Sequence, residues 1–229
     1  MKKIDFAESF SFAVERFRLN PAFYVLYSVL ITGLSLILLF GIKPAFYYCF
    51  GTFLYKLGIG FFLRRFLLLL SYLILFLVFV APLLAGFIRG IKKEELGGRA
   101  GLGDIFGGLT LFLPLTVNGV LAMLMAGLGF LCCCLPFLPL APLPFLAIFF
   151  VAQGEKGIRP FVRAFDLLLA HPSLILWFWA AGLFSLSGLC LCGIGVLITL
   201  GIGVSALCRI CSQAVDESAD ASEVPMGNS

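Results

Sequence analysis

Long stretches of this chain carry no charge. There is no Asp, Glu, Lys or Arg between Arg18 and Lys43 or between Arg65 and Arg89; fifty uncharged residues separate Asp104 from Glu155, and forty-two separate Asp166 from Arg209. Charged residues make up 12% of the 229 and apolar ones 62%, at a mean hydropathy of +1.12. Soluble domains carry roughly 25% charge, so this deficit excludes a fold surrounded by water. It also removes chemistry. With a single histidine and no acid inside the gaps, neither a metal site, a proton relay nor an acid–base pair at membrane depth is expected. No cofactor or nucleic-acid partner is expected either. A cleaved signal peptide is missing too: after Lys2 and Lys3 come Asp5, Glu8, Glu15, Arg16 and Arg18 rather than an apolar core, so the first apolar helix is expected to be retained.

What fills the gaps is apolar. A bilayer-crossing helix takes about 20 such residues, so the first two gaps hold one span each and the last two a hairpin each, over 22–42, 66–88, 108–131, 137–152, 173–189 and 191–208. The expected fold class is an all-α membrane protein with six transmembrane helices, a single domain over 1–211. An acidic cytoplasmic tail over 212–229, too polar to bury a core, is expected to be disordered. With the N-terminus inside, twelve basic residues flank the inner ends of the spans, and only Lys43, Lys56, Arg64 and Arg65 flank the outer ends. The positive-inside rule then puts both termini in the cytoplasm. All twelve acids fall on that same side, leaving an acid-free outer face.

A repeated device precedes the odd-numbered spans. Phe6, Phe10, Ala13, Val14 and Phe17 share one helical face. Leu102, Ile105, Phe106 and Leu109 repeat the pattern beside Asp104, and Ile158, Phe161, Val162, Phe165, Leu168 and Leu169 repeat it with Arg159, Arg163 and Asp166 opposite. These segments read as amphipathic helices on the cytoplasmic membrane surface. The first and third copies align, Phe10 with Phe161, Ala13 with Ala164, Glu15 with Asp166 and Asn20-Pro21 with His171-Pro172, which suggests a threefold internal repeat of surface helix plus hairpin.

The run from Phe10 to Pro21, the segment Gly86-Phe87-Ile88-Arg89-Gly90 leading to Gly103-Asp104-Ile105-Phe106-Gly107-Gly108, and the run from Phe161 to Pro172 together resemble a group of uncharacterised bacterial six-helix integral membrane protein families. That group includes the membrane domain attached to some glycerophosphoryl diester phosphodiesterases. The resemblance implies an architecture and the bacterial inner membrane. It brings no catalytic residues, because the soluble phosphodiesterase domain has no counterpart in these residues.

The candidate sites are few. Lys43, Lys56, Arg64 and Arg65 are interleaved with Phe46, Tyr47, Tyr48, Phe50, Phe53, Tyr55, Phe61 and Phe62 in the outer segment 43–65. Tyrosine favours the headgroup boundary and basic groups meet lipid phosphates, so the segment reads either as an aromatic anchor or as a lipid-headgroup site. Asn118, inside the third span, is either a ligand contact or an interhelix hydrogen bond. Cys132, Cys133, Cys134, Cys190 and Cys192 cluster at outer turns, where a disulfide between hairpins or simple packing are the alternatives. His171 has Asp166 or Arg163 as its nearest expected partners. Pro136, Pro139, Pro142 and Pro144 mark either an outer turn or a broken fourth helix. With no catalytic group or metal ligand set in view, the expected function is that of a non-enzymatic membrane scaffold or accessory subunit, handling lipid and partnered by membrane lipid or another membrane protein. The alternative is a small transporter or lipid-translocating protein working without intramembrane acids.

Overall fold

The computed structural model describes residues 6–131, 137–188 and 194–223, and among these every regular element is helical. The amphipathic start forms α1 (Phe6–Leu19). Asn20 leaves the helical region, φ −142° and ψ 60°, as a following proline favours, and Pro21 opens α2 (Pro21–Leu36), where a missing N–H is harmless.

The helix does not stop where the sequence suggests. A π-helical turn, Ile37–Ile42, joins α2 to α3 (Lys43–Lys56), and the Lys43 N–H reaches back to the Leu38 carbonyl. Inside an ordinary α-helix the Pro44 ring would strike the carbonyl four residues back; widening the preceding turn makes room for it. The product is one apolar helix of 36 residues, Pro21–Lys56, in place of a span over 22–42 and a separate outer segment.

Gly58, at φ 70°, turns the chain into α4 (Phe61–Glu95), which runs back alongside. A second reversal at Gly97 (φ 82°) leads to α5 (Leu102–Gly107), whose Asp104 carboxylate accepts the Gly101 N–H at 2.9 Å. A 3-10 turn, Gly108–Leu111, passes directly into α6 (Phe112–Leu131). Here backbone meets backbone: a Cβ on Gly86 would collide with the Ile105 carbonyl, and one on Gly108 with the Pro82 carbonyl. Only glycine at both positions lets α5 and the 3-10 turn lie this close to α4.

The expected fourth span is two pieces, α7 (Phe137–Leu140) and α8 (Leu143–Ala152), broken at a turn over 141–142. Pro142 precedes α8 and Pro144 sits in its first turn, so the prolines restart a helix rather than continue one. Ten residues rise only about 15 Å, half of a bilayer's hydrocarbon core. Leu143 to Ala152, Phe145 apart, are buried, with α4, α6 and α9 packed around them. Next come α9 (Arg159–Ala170) and α10 (Ser173–Ser187), bent 101° to each other at His171-Pro172. Last is α11 (Ile194–Glu223), which packs on α10 and α2.

Among the described residues four helices are long and apolar enough to cross a membrane, or five when α9 and α10 are taken as one bent span. The sequence suggests six, and the difference is the 137–152 segment, whose helix α8 is short and interior. α11 continues helically to Glu223, beyond residue 212, where the sequence suggests that the tail begins. The expected surface helices are all present; the apolar face of α1 packs on protein, whereas Leu102, Phe106 and Leu109 at α5 and Ile158, Val162 and Leu169 at α9 stay exposed. Ala13 of α1 packs on Ile202 and Ala206, and the Phe10 ring meets Phe184 edge-on at 4.9 Å. Of the threefold device, two junctions match closely, since His171 (φ −126°, ψ 74°) repeats the Asn20 conformation before its own proline. The α5 copy runs on without a proline. The core centres on Phe87, which stacks on Tyr27 at 3.8 Å and on Phe23 at 5.2 Å, with Tyr24 edge-on.

Candidate functional site

The two ends of this bundle differ in charge chemistry. No acid occurs between Glu15 and Glu94, so the tip of the α3–α4 hairpin, residues 43–65, holds no acid beside its basic residues. Tyr47, Tyr48, Gly51, Thr52 and Tyr55 of α3 and Arg64, Arg65 and Leu68 of α4 enclose a groove of about 430 Å³. The Arg64 guanidinium lies 5.6 Å from the Tyr55 ring centre and 5.8 Å from that of Phe61, and Arg65 lies 5.1 Å over Phe61. Cation–π contact holds each arginine near the aromatic wall, yet leaves the guanidinium N–H groups, which point in the ring plane, free to donate.

Of the four basic residues expected to act together, the fold unites two. Lys43 lies apart, its Nζ 5.8 Å from the Tyr47 ring centre and 5.7 Å from that of Tyr72. Lys56, at the end of α3, does not line the groove. The cause is the continuous helix. Counted from Pro21, Lys43 is about 33 Å along the axis, level with the far edge of a bilayer's hydrocarbon, and Lys56 is about 20 Å further on. The hairpin tip must therefore project into the headgroup layer or beyond, or tilt to lie in it. Exposed Tyr48, Phe53, Tyr55, Leu57 and Phe61 give that tip an apolar, aromatic skin.

Asn118 is fully committed to structure. It is 1% exposed; its amide donates to the Pro114 and Gly157 carbonyls, both at 2.9 Å, and its oxygen accepts the Phe161 N–H at 3.2 Å. Phe161 lies in the first turn of α9, whose early N–H groups have no partner within the helix. A side chain from α6 thus caps α9 and pins the connection before it. This is the interhelix hydrogen bond, with no capacity left for a ligand. Thr116 and Thr199 bond carbonyls of their own helices.

His171 pairs with neither Asp166 nor Arg163. Its Nδ1 is 3.9 Å from a Glu217 carboxylate oxygen on α11, a residue the sequence reading assigns to the tail. Arg163 instead pairs with Glu155. Cys132, Cys133, Cys134, Cys190, Cys192 and Pro136 lie outside the described residues. Cys49 is exposed, while Cys208 and Cys211 are buried and free. No group of three potential metal ligands occurs among the described residues.

Sequence reasoning missed the opposite end. Glu94, 5% exposed, accepts from the Asn20 amide at 2.6 Å and the Tyr24 hydroxyl at 3.3 Å, and its backbone carbonyl accepts from Arg16 at 3.0 Å. Asn20 also donates to the Ala100 carbonyl. These bonds tie α1, α2, α4 and the turn before α5 into one junction. The only signal for it was Asn20 before a proline, a residue whose side chain finds no cap bond on its own helix. Comparison with known proteins finds no matching family model, no similar curated protein and no similar solved structure.

Proposed function

We propose that this multi-pass membrane protein holds an anionic phospholipid headgroup between α3 and α4, and that it serves as a non-enzymatic scaffold or accessory subunit at the membrane. One observation carries the reading: Arg64 and Arg65 share a groove with three tyrosines and a threonine, at a hairpin tip with no acid to pair them. A phosphodiester supplies the missing charge, the tyrosine hydroxyls supply further donors, and the aromatic skin accepts acyl chains. The charge asymmetry supports an orientation with both termini cytoplasmic and the groove at the outer leaflet. The resemblance noted in the sequence supports a bacterial inner membrane.

The test is native mass spectrometry of protein released from nanodiscs containing phosphatidylglycerol. Wild type is expected to retain an anionic lipid, Arg64→Ala/Arg65→Ala to lose it, and Lys56→Ala, outside the groove, to keep it. Equal retention by wild type and the double variant sinks the reading.

A further inference from the structure

The ion-paired end holds a cavity, partly open to solvent, that the lipid reading does not use. It occupies about 240 Å³ between α4, α8 and α11 and is lined by three basic residues, Arg89, Lys92 and Arg209, and two acidic ones, Glu95 and Asp216, with Gln153, Cys208 and Ser212 among its other walls. Arg89 and Lys92 are three apart on α4, and Arg209 and Ser212 three apart on α11, so each helix turns one face inward. We propose that this cavity is a binding site for a phosphate-type anion, separate from the hairpin groove.

The argument is a count of donors. Arg89 spends its Nε on the Ala152 carbonyl at the end of α8, at 3.1 Å, which leaves both of its terminal nitrogens uncommitted. Arg209 meets Glu95 through one terminal nitrogen at 3.6 Å and lies 5.0 Å over the Phe12 ring, while its Nε is buried with no partner. Lys92, which is exposed, makes no side-chain hydrogen bond or ion pair among the described residues but bears electrostatically on Glu95, and Ser212 adds a hydroxyl. A buried donor without an acceptor is costly, and natural structures rarely leave one. With Glu95 turned to Arg209, Asp216 is the only other carboxylate at the cavity, so donors outnumber acceptors and the net charge is positive. A tetrahedral oxyanion offers several acceptors at once and suits the planar guanidinium forks. The volume suits an inorganic phosphate or the phosphate of one headgroup.

Two arms separate the sources. In phosphatidylcholine nanodiscs, inorganic phosphate is titrated while thermal unfolding is followed. A phosphate-dependent rise in Tm is expected for wild type, with the midpoint concentration raised about tenfold or more in Lys92→Gln and Arg209→Lys and unmoved in Arg64→Ala/Arg65→Ala. In phosphatidylglycerol nanodiscs without phosphate, a retained lipid that survives Arg64→Ala/Arg65→Ala but disappears in Lys92→Gln assigns the anion to a headgroup. Ser212→Ala, a milder change, guards against a folding defect and is expected to shift the midpoint in the same direction. Binding absent from wild type in both arms, or unchanged by all three cavity substitutions, overturns the proposal. Loss of the hairpin lipid alone leaves it standing.

Discussion

Asn118 illustrates what a single residue can reveal before and after folding. Its polarity in an apolar run was legible, as was the choice between ligand contact and interhelix bond. Its partners were not, because Gly157 and Phe161 lie about forty residues away and nothing local marks them. Asn118→Ala is expected to take the amide donor from the Gly157 carbonyl, to leave the Phe161 N–H only the Ile158 carbonyl, and to cost about 2 kcal/mol, read as a lower Tm in detergent; an unchanged Tm means water replaces the amide and the cap is dispensable. Glycine gives a sharper residue-scale contrast. Gly86→Ala must drive a methyl into the Ile105 backbone carbonyl, which cannot swing aside as a side chain could. A loss of about 1–3 kcal/mol is expected. Gly33, also helical, has nothing within 4 Å of an added Cβ, so Gly33→Ala is expected to be neutral or to stabilise by up to about 1 kcal/mol. If the two substitutions lower Tm equally, the close approach of α5 to α4 is not what requires Gly86.

At the scale of elements, hydropathy located every apolar helix but misjudged three boundaries, each for a different reason. Pro44 reads as a stop, yet a π turn absorbs it. The run 137–152 reads as a span, yet its prolines cut it to a ten-residue helix. In both cases apolar content says where a segment is buried but not what buries it, and α8 is buried by its neighbours rather than by lipid. The third boundary is the end of α11. Asp216, Glu217 and Asp220 suggest a solvated coil, but Glu217 meets His171, and Val215 and Ser218 line a pocket against Asp166, Leu167 and Ala170 of α9. Helix plus tertiary contact protects amides that a disordered tail would expose. Hydrogen exchange is therefore expected to show protection continuing from Cys208 to Glu217, and His171→Ala to shorten it at the far end. Exchange at the random-coil rate from Ser212 onward would restore the disordered tail.

At the scale of the whole molecule, charge is sorted rather than scattered. The pairs Lys93–Asp104, Arg163–Glu155, His171–Glu217 and Arg209–Glu95 form one end, together with the buried Glu94 junction. The other carries arginine and lysine against aromatic rings. This asymmetry was fully legible, since it depends only on which loops hold acids, and it fixes the proposed orientation. Cys49 provides the measurement. It is exposed on α3, about 42 Å along the helix from Pro21 and so past a hydrocarbon core of about 30 Å. A membrane-impermeant maleimide applied to intact cells is expected to label the protein, with one increment lost in Cys49→Ser. The buried Cys208 and Cys211 should stay unmodified until the protein is unfolded. If the Cys49 increment appears only after the membrane is permeabilised, the hairpin faces the cytoplasm. The arginine groove would then meet the inner leaflet, and the end that carries twelve of the sixteen basic residues would lie outside, against the positive-inside rule. If the increment appears at once, the acid-free hairpin tip is outside, where its arginines have no protein anion to pair with and a lipid phosphate becomes their natural counter-charge.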